Sequence, residues 1–173
     1  SYTEPNAKGD SMSANTTVNY TITEAVGGDG VTVIIGSEEI SALSSTITAE
    51  TKINDYISIT ASADKSVSVD SNSKTYEDKS FTHRIKLGGE GTNVQRSLKL
   101  ITAEDNARII IYAMSSSSSE SRTAALYDGT FVDKNSTPEA VVGNTINVPG
   151  DKLNKYEFTV EEAGTYYFAS QSG

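Results

Sequence analysis

Apolar and polar residues alternate in short runs along most of this chain. The runs recur at roughly 8–12-residue intervals, the spacing of short strands joined by turns. Over Thr17–Thr23, Val18, Tyr20 and Ile22 alternate with polar partners, and Tyr56–Ala61 does the same with Ile57 and Ile59. Ser66–Val69, Phe81–Leu87, Ser97–Ile101, Arg108–Met114, Thr123–Tyr127, Thr145–Val148, Tyr156–Val160 and Thr165–Ser170 read as further strands. A period of two marks a strand with one buried face. Gly, Asn and Asp separate the runs, and Asp70-Ser71-Asn72-Ser73 reads as a turn. Only Glu38–Ser44 suggests a turn of helix. The pattern predicts an all-β chain folded as an antiparallel β-sandwich.

Val31–Ile35 departs from the alternation, being an almost continuous β-branched run that follows Gly27-Gly28-Asp29-Gly30. Residues 1–36 are otherwise polar and read as an N-terminal extension or linker able to contribute a strand; residues 37–173 form the sandwich module. The serine run Ser115–Ser119 has the composition of a linker. It is framed by two strong strands, which predicts an ordered loop inside the domain instead.

Composition narrows the function. The 173 residues suit one domain and contain no cysteine, which excludes disulfides and thiolate metal sites. A net charge of −9 argues against nucleic acid as the main partner. No stretch approaches the ~18 apolar residues of a membrane span. The absence of Trp weakens a reading as a binder of crystalline neutral polysaccharide. Tyr112, Tyr127, Tyr166 and Tyr167 read as core or rim residues.

Positive charge is unevenly placed. Half of the fourteen Lys and Arg residues fall between Lys79 and Arg122, against only Glu90, Glu104, Asp105 and Glu120. A local basic patch on an acidic chain points to an anionic ligand. In Phe81–Leu87, one face carries Phe81, His83, Ile85 and Leu87, and the other Thr82, Arg84 and Lys86. If this strand pairs with Ser97–Ile101, Lys99 joins Arg84 and Lys86 on one solvent face. Such a grid suits a linear ligand with a carboxylate on each unit, Arg offering a fork and Lys a mobile point charge.

Catalytic signals are lacking. His83 is the one histidine, has no nucleophile or ligand set beside it in the sequence, and reads as a sheet-rim residue. No phosphate-binding loop, metalloprotease motif or nucleophile elbow occurs. The chain is therefore expected to be no enzyme and to need no cofactor. A structural calcium is left open, with no ligands assigned.

The same residues carry a family resemblance. Phe81-Thr82-His83-Arg84-Ile85-Lys86-Leu87-Gly88-Gly89 is followed by Arg96-Ser97-Leu98-Lys99. Tyr112-Ala113-Met114 with its serine run, Arg122-Thr123-Ala124-Ala125-Leu126-Tyr127-Asp128 and Ala163-Gly164-Thr165-Tyr166-Tyr167 come next. In that order they resemble the pectin-binding carbohydrate-binding modules appended to bacterial pectate lyases, over roughly Ile40 to Gly173. The resemblance implies a jelly-roll-like β-sandwich that binds de-esterified homogalacturonan, an acidic polysaccharide, through basic side chains. It also implies a secreted, plant-cell-wall-degrading or cellulosomal protein. Carried onto this chain, the ligand-binding residues are Arg84, Lys86, Arg96, Lys99 and Arg122. Members usually have Lys at the place of His83, and continue past Ser172-Gly173 into one more apolar strand. A segment of residues 17–35 is expected to take that strand's place, with Val31–Ile35 the better suited to a slot buried on both sides.

No nucleic-acid or membrane partner is expected. The protein is expected to be a monomer, with a strand-exchanged dimer as the alternative. The rival reading is a structural or adhesive sandwich of a bacterial cell-surface or cellulosomal protein that pairs by strand addition.

Overall fold

A computed structural model describes residues 10–11, 17–24, 32–129 and 141–171. It is an all-β sandwich of antiparallel sheets packed together, as the alternation predicts. In chain order the strands are β1 (Asp10–Ser11), β2 (Thr17–Glu24), β3 (Thr32–Ile34), β4 (Thr46–Ile47), β5 (Thr51–Lys52), β6 (Ile57–Thr60) and β7 (Val67–Tyr76). Then come β8 (Lys79–Lys86), β9 (Ser97–Thr102), β10 (Ala107–Met114), β11 (Arg122–Asp128), β12 (Val141–Val148), β13 (Asn154–Val160) and β14 (Gly164–Ser170). One short helix, α1 (Ser37–Ser41), precedes β4.

Six strands form one sheet in the order β12-β11-β14-β9-β6-β5. A second sheet is built on β10, which pairs with β13, β2 and, in parallel, β1; β3 pairs with β2. A third, of β4, β7 and β8, lies against both. The main core fills the space between them. Ile57, Ile59, Leu98, Leu100, Leu126 and Phe168 face inward from the first sheet, and Ile109, Ile111, Phe158 and Val160 from the second. Phe158 and Phe168 meet edge to face at 6.0 Å and join the two sheets. Val67, Val69, Ile85 and Leu87 close the side.

β10 is apolar at every position from Ile109 to Met114 because both of its faces are covered. Ile109, Ile111 and Ala113 face the main core, while Ile110, Tyr112 and Met114 pack with Phe81, Leu153 and Tyr76 in a second cluster. The distal half of the β7–β8 hairpin thus lies over the outer face of the second sheet.

One local reading needs correction. Asp70-Ser71-Asn72-Ser73 is no turn: β7 runs through it, with a register shift between Ser71 and Lys74. A bulge absorbs the turn-forming residues and swings the hairpin from the main core to the outer cluster. The reversal comes later, at Glu77-Asp78, with Glu77 at φ 52°. The N-terminal part meets β10 through β1 and β2, and β3 is the described strand of Val31–Ile35. The latter region pairs through β3 with β2, and Val33 and Ile35 enter the main core.

The serine run is an ordered crossing between sheets. Ser115 is fully buried and its N–H donates to the Pro149 carbonyl at 2.9 Å. Ser117 N–H donates to Ser115 Oγ, and Glu120 N–H to Ser117 Oγ. Gly150 makes this possible: a Cβ there would lie 1.5 Å from the Ser117 carbonyl oxygen.

Candidate functional site

The alternation places Arg84 and Lys86 on one face of β8, away from buried Phe81, Ile85 and Leu87. Opposite them on β7, Asp70 is in register with Arg84 and Ser68 with Lys86. Arg84 grips Asp70 with both prongs of its guanidinium, Nε to Oδ1 at 2.6 Å and Nη2 to Oδ2 at 3.1 Å. Lys86 Nζ stands 3.8 Å from Oδ2 of the same carboxylate. Burial pushes the Asp70 carboxyl up, but Arg84, with Lys86 and His83 adding, outweighs it and holds the group below its ordinary value. His83 lies at the hairpin rim, with Nδ1 3.0 Å from Thr82 Oγ1 and Nε2 3.4 Å from Ser71 Oγ.

Arg96 extends this group. It adopts φ 54° just before β9, where its N–H donates to the Thr60 carbonyl at 2.7 Å. Its side chain turns back toward the start of β7, and Nε donates to the Ser66 carbonyl at 3.2 Å. The guanidinium also lies over Gly89, where a Cβ would stand 2.8 Å from Nη1. Ser66 precedes Ser68 on β7, and Gly89 follows Lys86 on the other side. Arg96 therefore sits at the Lys86 end of the hairpin, with no carboxylate partner among the described residues.

The other two expected residues lie elsewhere. β8 and β9 do not pair: β8 pairs with β7, and β9 with β14 and β6. Lys99 is therefore on a different sheet from Arg84 and Lys86. It projects from the outer face of the six-stranded sheet, in register with Ser58 and Tyr167, and its Nζ is 3.6 Å from Glu50. The premise of one shared face with Lys99 fails because the loop between β8 and β9 crosses from one sheet to the other. Arg122 begins β11 opposite buried Val148, with Nη1 2.9 Å from Glu120 and a buried Nε. It serves the end of the serine crossing.

Asp70 is the residue that the sequence reading misses. Its place in a supposed turn hid its register with Arg84. The described residues hold no cluster of three or more His, Cys, Asp or Glu arranged for a metal ion.

No family model matches the chain, and no curated protein matches it.

Proposed function

We propose that this chain is a non-catalytic carbohydrate-binding module for anionic pectin, in its de-esterified homogalacturonan form. It would be secreted and hold an attached polysaccharide-degrading enzyme close to the plant cell wall, raising its local concentration. The observation that carries this reading is the charge balance of one hairpin face. Arg84 and Lys86 flank Asp70 there, and Arg96 reaches the Ser66 carbonyl at the Lys86 end of the same hairpin. That face keeps a cationic excess in a protein of net charge −9. A linear polymer with a carboxylate on each unit can contact several such cations in turn. Each exposed contact is weak, so affinity comes from their sum and falls with salt.

The test is calorimetry or affinity electrophoresis at low salt against polygalacturonate, highly methylated pectin, xylan and cellulose. Binding to polygalacturonate that weakens as methyl esters replace carboxylates supports the reading. Equal binding to fully methylated pectin, or none to polygalacturonate, overturns it.

A further inference from the structure

A second group of cations surrounds the aromatic cluster on the outer face of the second sheet. Lys155 on β13 is in register with Tyr112 on β10. The Tyr112 ring meets Tyr76 edge-on with centroids 5.8 Å apart, and Phe81 at 5.3 Å. In the hairpin, Tyr76 is in register with Lys79, and Phe81 with Lys74. Registered residues of an antiparallel pair project to the same face. Two lysines of the hairpin and Lys155, far from them in sequence, therefore border one cluster. Lys155 is exposed, and Lys74, Tyr76 and Lys79 are partly so.

The crowding is felt electrostatically. Burial, and then the Lys155 ammonium, hold Lys79 below the usual lysine range. Of the acidic groups on these elements, Glu77 and Asp78 lie in the exposed hairpin turn, and Glu157 is engaged by Arg108 at 3.4 Å. Lys74 and Lys155 form no ion pair among the described residues. Arg84, Lys86, Lys99 and Arg122 each already have a carboxylate beside them.

We propose that Lys74 and Lys155, set around Tyr76, form a binding subsite for a carboxylated sugar unit of an acidic polysaccharide. The partly exposed Tyr76 ring offers an apolar surface to the C–H groups of a sugar ring. The mobile ammonium groups pair with its carboxylate and with those of neighbouring units. This subsite deepens the proposed function and rests on it, adding contacts outside the Arg84–Lys86 face.

The experiment compares the parent chain with the Lys74→Ala/Lys155→Ala double variant, and with Lys155→Glu alone, by calorimetry against polygalacturonate. Thermal unfolding is followed in parallel. Loss of two lysine–carboxylate contacts should weaken binding about tenfold. Lys155→Glu, at an exposed position where packing is untouched, should weaken it as well, with unfolding unchanged. If the parent binds and both variants bind equally well, the subsite is wrong while the pectin reading stands. If the parent does not bind polygalacturonate, the reading of the module and the subsite fall together.

Discussion

Arg84 and Asp70 stand directly opposite each other on β8 and β7, and their side chains meet in a two-pronged hydrogen bond of 2.6 and 3.1 Å. The Arg84 side chain is 16% exposed and that of Lys86 is 22%, yet only Arg84 holds the carboxylate at hydrogen-bonding distance. Arg84 is thus part of what fixes the hairpin, and Lys86 is the freer cation. Arg84→Ala should cost about 1–2 kcal/mol in urea unfolding, and Lys86→Ala under about 1 kcal/mol. Equal costs would show that the fork adds nothing to the stability of the hairpin.

The same pair sets an acid limit. The Asp70 carboxyl is held below its ordinary value of 3.8, so the folded state favours its ionised form. The stability this supplies is complete above that value. It is lost as pH falls through the depressed folded value. Unfolding midpoints measured between neutral and strongly acidic pH should fall less steeply for Asp70→Asn than for the parent at the acid end. Parallel curves would place the acid sensitivity in other carboxylates.

Gly150 tests the serine crossing. A methyl group there overlaps the Ser117 carbonyl, so Gly150→Ala must push the chain away from Pro149 and break the Ser115 hydrogen bond. A loss of about 2–4 kcal/mol is expected, at the upper end of single substitutions. Proteolysis should also cut faster within Ser115–Ser121. Unchanged stability would mean that the run tolerates displacement as a true linker does.

Deletion of residues 1–36 removes Val33 and Ile35 from the main core, together with the strand beside β10. Each buried aliphatic side chain is worth about 1.5–3 kcal/mol. The shortened chain should unfold several degrees earlier and associate through its uncovered edge, as read by thermal unfolding and light scattering. A chain that stays monomeric and equally stable would reduce these residues to an appendage.

Much of the architecture was legible because burial on one face writes itself as alternation. Ile57 and Ile59, Leu98 and Leu100, and Ile85 and Leu87 all face the core as their spacing predicts. Pairing was not legible. Nothing in Phe81–Leu87 or Ser97–Ile101 says that a loop carries the chain to another sheet between them. The expected common face of Arg84, Lys86 and Lys99 was lost there. Turn chemistry misled at Asp70–Ser73 because Asp, Ser and Asn serve a bulge as readily as a reversal. Lys74 and Lys155 could not be linked from sequence, since the packing of Tyr76 and Phe81 on Tyr112 brings their strands together.

β10 has pairing partners on both edges and packed side chains on both faces. A strand so enclosed cannot be uncovered piecemeal. Opening it means parting β13 on one edge, β2 on the other, and lifting the aromatic end of the hairpin off Tyr112. Its amides are therefore released to solvent only when the molecule as a whole comes apart. The lifetime of the folded protein is then governed by one global event, with the exposed hairpin and loops free to vary around it.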